Sequence, residues 1–268
     1  MTAEGTLSKM SHKIHDGEVK YSLSLGGQEI DMNSLLGKEI GFTFLNKINC
    51  TICGTEIKQA FQGRAICRHC YLHAPEAEEC LFYPEKCMAH LGEARDMKWS
   101  EENCLILHFV YLAVSSGLKV GVTRYHQIPF RWIDQGAVRA IKLAETPNRH
   151  IAGVIENFLK DHLADKTNWK KMLMSVDEDF EIDLLKEKGR ASALLPGELQ
   201  KYISGDDAVT EIKYPGINIP GDLKIFGFDK ENEIRDTLTA IKGQYLIFAG
   251  GQVFNMNRYS GYNVLMTY

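Results

Sequence analysis

The chain has 268 residues, of which 44% are hydrophobic and 25% charged, a composition typical of globular proteins that can bury a sizeable core. Its net charge of −4 excludes a polycationic protein that coats nucleic acid, although a local basic face is compatible with it. The sequence lacks an apolar stretch of membrane-spanning length and a signal-peptide-like start, so we expect a cytoplasmic protein with reduced thiols and no membrane partner.

In chain order, short strands are predicted at 20–25 and 39–44, with glycine turns between them. All seven cysteines follow, between Cys50 and Cys104. The part of the chain after Glu211 is again typical of strands and turns. We expect the two β-rich ends to pair into one sheet domain, with the cysteine module and an α/β part inserted between them.

The cysteine module begins with two Cys-x-x-Cys pairs separated by thirteen residues, Cys50 with Cys53 and Cys67 with Cys70. Each pair directs two sulfurs at one point, and two such knuckles form a closed tetrahedral site that suits Zn²⁺. A thioredoxin-like redox pair is the alternative, but two matched knuckles without a preceding βαβ pattern argue against it. The spacing therefore predicts a structural zinc.

A second group of metal-ligating side chains follows within 29 residues. Cys80, Cys87 and Cys104 together with His108 could hold a second zinc, and His90 is the alternative fourth ligand. The competing interpretation is that these cysteines are buried free thiols, which pack as small apolar residues. Because neither predicted site leaves an open coordination position, both are predicted to be structural.

The middle of the chain has an α/β pattern. Two valine-rich apolar runs flank a Ser-Ser-Gly turn and predict a hairpin, and apolar spacings of three and four predict a long helix at 149–163. Two further helices are predicted at 165–174 and 178–195, the second beginning in an acidic run that we interpret as a solvated helix start. The predicted order is strand 108–114, strand 119–124, helix 130–136, strand 138–144 and helix 149–163.

Short motifs in this order resemble the GIY-YIG nuclease superfamily. A Phe-Val-Tyr tripeptide at 109–111 stands on the first hairpin strand and Lys-Val-Gly at 119–121 on the second, followed by Arg131, Glu156 and Asn168. The likeness is closest to a phage-associated branch whose second tripeptide reads Lys-Ile-Gly, and it covers about 60 residues. It implies a β-β-α-β-α domain.

A longer and more specific likeness runs from Cys50 through Trp169. Here the chain resembles an uncharacterised bacterial family of unknown function, through the text LKVGVTR at 118–124 and RWIDQGA at 131–137. The text GQYLI at 243–247 extends the likeness toward the C-terminus.

The nuclease resemblance implies roles for particular side chains. Tyr111 would help to activate the attacking water, Arg131 would stabilise charge on the phosphate, and Glu156 would bind Mg²⁺ or Mn²⁺. Lys119 stands where the nucleases place a tyrosine and would be a poor base, although it could bind phosphate. Each residue also has a structural alternative to its catalytic role. Tyr111 could be a half-buried strand tyrosine, Arg131 could pair with Asp134 in the same helix, and Glu156 could lie at a helix edge.

Local charge favours a nucleic-acid partner. Between Lys119 and Arg149 six cations are opposed by two acids, a net of +4 on an acidic protein. The alternative is that this number of cations lies within the ordinary variation of protein surfaces. The residues predicted to contact nucleic acid are Lys119, Arg124, Arg131, Trp132 and Arg139.

These patterns predict an α+β protein with five segments: an N-terminal β segment (1–49), a zinc-ribbon-like cysteine module (50–104), a GIY-YIG-like α/β domain (105–175), a helical linker (176–210) and a C-terminal β segment (211–268). They predict a nucleic-acid-acting protein, either a divalent-metal-dependent endonuclease or a non-catalytic, zinc-stabilised binding protein. A protein-interaction scaffold is the third hypothesis. The oligomeric state and the choice between DNA and RNA stay open.

Overall fold

The computed structural model describes residues 1–61, 63–163, 168–175 and 181–268. Helices and strands are mixed and both ends are rich in strands, which confirms the predicted α+β class.

The strands of the described residues are β1 (Thr2–Thr6), β2 (Ser11–His15), β3 (Glu18–Leu25), β4 (Gln28–Asp31), β5 (Glu39–Asn49), β6 (Glu56–Ile57), β7 (His108–Val114), β8 (Leu118–Arg124), β9 (Arg139–Thr146), β10 (Thr210–Glu211), β11 (Lys224–Ile225), β12 (Glu233–Lys242), β13 (Tyr245–Phe248), β14 (Gln252–Asn255) and β15 (Tyr262–Thr267). The α-helices are α1 (Arg68–His73), α2 (Met97–Asn103), α3 (Phe130–Asp134), α4 (Arg149–Lys160), α5 (Trp169–Met174), α6 (Leu184–Leu194) and α7 (Gly197–Gln200). Short 3-10 helices lie at Asn33–Leu35, Pro75–Ala77, Glu79–Leu81, Pro84–Lys86, Ala89–Leu91 and Tyr125–Gln127.

The chain divides into two compact units, one formed by Met1–Leu72 with Ile212–Tyr268 and the other by His73–Glu211. The first unit contains an eight-stranded sheet in the order β1-β15-β5-β12-β13-β14-β11, with β6 beside β5, and a three-stranded sheet β2-β3-β4. Strand β5 lies between β15 and β12 and is antiparallel to both. The predicted pairing of the two chain ends in one sheet is therefore confirmed.

Aromatic side chains hold the core of the first unit together. The rings of Phe42 and Phe254 stack with centroids 5.1 Å apart, and Phe228 lies edge-on to Tyr259 at 4.8 Å. The Tyr259 hydroxyl accepts a hydrogen bond of 3.1 Å from the Phe228 backbone N–H, so its polar end is satisfied inside the core.

The second unit is built on a four-stranded sheet in the order β10-β9-β7-β8. Every residue of the central strand β7 is buried, as expected for a strand paired on both sides and covered on its faces. Helix α4 begins at its N-cap Asn148, whose Oδ1 accepts from the Ile151 N–H at 3.0 Å, and it buries Ala152, Ile155 and Leu159 against the sheet. The order β7-β8-α3-β9-α4 is the predicted β-β-α-β-α order.

The helix ends differ from the predicted bounds. Helix α4 ends at Lys160 and not at 163, and α3 ends at Asp134, because the predicted bounds included apolar or glycine residues of the following turns. The predicted starts of the next two helices, with most of the acidic run, lie outside the described residues. Helix α6 begins at Leu184. Its N-cap Asp183 accepts hydrogen bonds from the backbone N–H groups of Leu185 and Lys186.

Of the helices described, none combines the length and the apolar character required to cross a bilayer.

Candidate functional site

Four cysteines of the first unit, Cys50, Cys53, Cys67 and Cys70, form what we call the first cluster. The first pair lies in the turn after β5 and the second at the start of α1. All four Sγ atoms lie within 4.8 Å of one another, and those of Cys53 and Cys67 are 3.8 Å apart. Zinc–sulfur bonds of about 2.3 Å in a tetrahedron require an S–S edge of about 3.8 Å, so the spacing fits a zinc ion.

Hydrogen bonds orient these sulfurs. The backbone N–H of Cys67 donates to Cys50 Sγ and that of Cys70 to Cys67 Sγ, each at 3.3 Å. The Thr55 hydroxyl and backbone N–H lower the pKa of Cys53 to about 6, which favours the thiolate that a metal binds. The first cluster could therefore bind a metal such as zinc.

Three cysteines of the second unit form the second cluster: Cys80, Cys87 and Cys104. They lie on short 3-10 turns and at the C-terminal end of α2, are at most 6% exposed, and hold their Sγ atoms within 4.8 Å of one another. Among the described residues, no fourth His, Cys, Asp or Glu falls within the same span. The predicted fourth ligands His108 and His90 are therefore outside it, and the second cluster could bind a metal through three thiols.

A buried arginine lies against the second cluster. The Arg149 backbone N–H donates to the Cys104 carbonyl at 2.8 Å, and its Nη2 donates to the Asn103 carbonyl at 3.0 Å. The thiols of Cys80 and Cys87 lower the pKa of Cys104, and the Arg149 guanidinium lowers it further through its charge and a hydrogen bond. A negative charge on the cluster would therefore meet a fixed positive charge.

The two histidines predicted as alternative ligands differ in their surroundings. His108 is fully buried, its Nδ1 lies 2.8 Å from the Ile106 carbonyl oxygen, and its Nε2 has no hydrogen-bond partner in the described part of the chain. Burial lowers its pKa to about 4, so the ring is neutral at pH 7. His90 is exposed and stacks on His150, with ring centroids 4.3 Å apart.

The predicted catalytic tyrosine lies at the centre of the second unit. Tyr111 is fully buried on β7, and its hydroxyl donates to Gln135 Oε1, just after α3, at 2.8 Å. It faces Gly121 on β8, where an added Cβ would lie 2.5 Å from the hydroxyl oxygen. The glycine therefore makes the space that the phenol occupies.

Two further predicted residues act on this phenol. Burial raises the pKa of Tyr111, Arg131 opposes that change through its charge and a side-chain hydrogen bond, and the charge of Glu156 adds to it. Arg131 is exposed on α3, whereas Glu156 on α4 is 9% exposed. We call Tyr111, Gln135, Arg131 and Glu156 the Tyr111 cluster; it combines a phenol, an amide, a guanidinium and a carboxylate from three adjacent elements.

The donors near Glu156 do not form a preassembled magnesium site. Glu156 Oε2 lies 3.5 Å from Lys160 Nζ, and no group of three potential metal ligands in the described residues includes Glu156. Mg²⁺ can bind through one carboxylate and several waters, but here it would compete with the lysine.

The cations predicted to face nucleic acid are not arranged as one patch. Arg131 is exposed, but Lys119 is 9% exposed and Lys142 lies 2.6 Å from an Asp206 carboxylate oxygen. The others are engaged inside the unit: Arg124 donates to Asn103 Oδ1, Arg139 donates to the Ile182 carbonyl, Arg149 lies against the second cluster, and Trp132 is 4% exposed.

A comparison with models of protein families identifies the family of this chain. Residues 37–264 match DUF2797, a family described as a protein of unknown function. The chain belongs to the DUF2797 family. The predicted likeness to a family of unknown function is thereby confirmed, and it reaches further toward both ends than the motifs indicated. No curated protein and no solved structure matches this DUF2797 chain.

The sequence of this DUF2797 protein does not predict the roles of two side chains, Gln135 in the Tyr111 cluster and Arg149 beside the second cluster. Gln135 falls near the end of the predicted helix 130–136, and Arg149 is one of the six cations between 119 and 149. A neutral amide after a short helix and an arginine next to a helix N-cap are common features, so neither carries a signal that separates it from ordinary surface residues.

Proposed function

We propose that this DUF2797 protein binds zinc at its cysteine clusters and acts on nucleic acid through the Tyr111 cluster. The observation that carries the second part is that Arg131, through its charge and a hydrogen bond, and Glu156, through its charge, both act on the phenol of Tyr111. Three different elements contribute these groups. The sequence resemblance to GIY-YIG nucleases implies a catalytic role for each of the three side chains, Tyr111, Arg131 and Glu156.

Zinc at the first cluster has a structural role in this proposal. Four thiolates close the coordination sphere of the first cluster, and binding of the ion contributes directly to the folding free energy. Such sites require reduced cysteines, which agrees with a cytoplasmic location.

The exposed Arg131 is the group that would meet the substrate. A guanidinium can bind two phosphate oxygens at once, and on an acidic protein a single well-placed arginine gives a local anion site. A divalent metal at Glu156 would first have to displace Lys160.

A second candidate, nucleic-acid binding without cleavage, is favoured by the enclosure of Tyr111. The phenol is fully buried, donates its proton to Gln135 and has a raised pKa, so at neutral pH it is protonated and out of contact with water. In this state it supports the positions of Gln135 and Arg131 and does not act as a base.

The deciding experiment incubates zinc-loaded protein with labelled DNA and RNA, single- and double-stranded, in Mg²⁺ or Mn²⁺. The enzyme hypothesis predicts metal-dependent cleavage that Glu156→Gln abolishes at unchanged melting temperature. Binding that Arg131→Gln weakens, without cleavage, would support the second candidate. If the protein neither binds nor cleaves any of these substrates, the nucleic-acid proposal is wrong and a scaffold role replaces it.

A further inference from the structure

The second cluster borders a small cavity. A space of about 190 Å³ is lined by Cys80 and Cys87 but not by Cys104, which is fully buried. Ala94 lines the same space and packs against the small buried group that the three cysteines form with Ala89. The cluster is therefore enclosed on the Cys104 side and borders the cavity through Cys80 and Cys87.

A tetrahedral metal ion held by three thiolates needs a fourth donor. We propose that the second cluster binds a divalent metal through Cys80, Cys87 and Cys104, and that its fourth position faces this cavity and takes a neutral, exchangeable donor, with water as the resting ligand. The proposal rests on the metal-binding part of the proposed function and is independent of nucleic acid. Three protein ligands with an open position are the arrangement of reactive rather than purely structural zinc sites.

The charges around the cluster favour a neutral fourth ligand. Three thiolates and a divalent ion carry a net charge of −1. Two cations lie on the Cys104 side of the cluster: the guanidinium of Arg149, and Arg124, whose charge also acts on Cys104. The lining of the cavity carries three carboxylates and one cation, Lys86, which pairs with Glu79, so its net charge is −2 and an anionic ligand would meet repulsion there. These carboxylates belong to Glu78, Glu79 and Glu93.

The size of the cavity limits the ligand further. Pockets for drug-sized ligands usually measure about 300–1,000 Å³, so this space suits water or a small heterocycle and excludes a nucleotide.

His108 is the competing fourth ligand. Its buried Nε2 has no hydrogen-bond partner in the described residues, which is the state expected of a nitrogen that awaits a metal. The Ile106 carbonyl accepts from Nδ1, which also leaves Nε2 as the atom that could bind. However, His108 does not line the cavity and lies outside the span of the three sulfurs. Ligation by His108 would therefore require a rearrangement of the ring or of the cluster.

The test uses full-length protein loaded with Co²⁺, whose visible spectrum reports ligand number and type. We expect two equivalents of cobalt per chain, one for each cluster. Imidazole is then added to the wild type, to His108→Ala, to Ala94→Cys and to Ala94→Ser. The four-thiolate first cluster is saturated and contributes a constant background.

We expect imidazole to shift the ligand-field bands of the wild type, of His108→Ala and of Ala94→Ser. Ala94→Cys should add a thiolate charge-transfer band and lose the imidazole response, while Ala94→Ser controls for the change in side-chain size. A wild type that ignores imidazole, or a His108→Ala spectrum that differs before imidazole is added, overturns the open position. Binding of a single equivalent of cobalt overturns the second metal itself.

Discussion

Helix α4 carries Glu156 and Arg149, and its close approach to the Pro84–Lys86 turn depends on Gly153. A Cβ at position 153 would lie 2.1 Å from the Glu85 backbone nitrogen and 2.3 Å from the Pro84 carbonyl carbon. Ordinary carbon contacts begin near 3.4 Å, so Gly153→Ala must move the helix or the 84–86 turn by about 1 Å. Both partners are backbone, so no flexible side chain can yield.

The expected cost follows from two opposing effects. Alanine in a helix interior gains about 1 kcal/mol over glycine, whereas overpacking against a rigid neighbour costs about 1–3 kcal/mol, with a backbone clash near the upper end. We expect Gly153→Ala to lower the free energy of unfolding by about 1–2 kcal/mol. Gly189→Ala in α6 is the matched control, because a Cβ there meets nothing within 4 Å, and it should stabilise the protein by about 0.5–1 kcal/mol.

Urea unfolding of both variants, followed by circular dichroism, measures this difference directly. Since both sites lie in the same unit, the comparison holds even if the two units unfold separately. Equal stabilisation by the two alanines would refute the close packing of α4 on the turn. The change should also perturb any property that depends on Glu156 or Arg149.

Two further predictions concern the metal and the phenol. Cys53→Ser should lose one zinc equivalent and lower the melting temperature by about 10 °C or more, because zinc binding contributes to folding. Cys87→Ser should lose the other zinc equivalent. Zinc analysis and calorimetry measure both effects, and an unchanged zinc content in either variant would contradict the prediction. Tyr111→Phe removes the hydrogen bond to Gln135 and should cost about 1 kcal/mol in urea unfolding. Because burial raises the pKa of Tyr111, its protonated form stabilises the folded state fully below about pH 10, and that contribution is lost as the pH rises through the folded-state pKa. An absorbance titration of wild type minus Tyr111→Phe should therefore show no phenolate below about pH 10, and phenolate signal at pH 9 would exclude the enclosed phenol.

The hairpin and the first cluster could be predicted because each depends on local sequence. Strand β7 coincides with its predicted bounds, since an apolar valine-rich run before Ser-Ser-Gly leaves little choice of structure. The sulfurs of Cys50 and Cys53 must also lie close together because two residues separate them. The longer pairing of β5 with β12 and β15 was expected only from the shared strand character of the two chain ends.

Properties set by distant packing could not be predicted. The sequence shows a tyrosine at position 111. It does not reveal that the absence of a side chain at Gly121 leaves space for the tyrosine ring, or that Tyr111 is fully buried. Nor does spacing distinguish an exposed arginine such as Arg131 from Arg149, which lies buried beside Cys104. The arrangement of three rather than four ligands in the second cluster likewise depends on where separate turns meet.

Both versions of the proposed function require that Arg131 contacts a phosphodiester, and the salt dependence of binding measures this contact. Oligonucleotide affinity is determined between 50 and 200 mM salt for the wild type, for Arg131→Gln and for Lys98→Gln, an exposed lysine of the same unit that controls for the lost charge. We expect Arg131→Gln to weaken binding and to reduce the slope of log affinity against log salt by about 1, while Lys98→Gln retains the wild-type slope. Identical slopes in all three proteins would contradict the claim that the Tyr111 cluster receives nucleic acid.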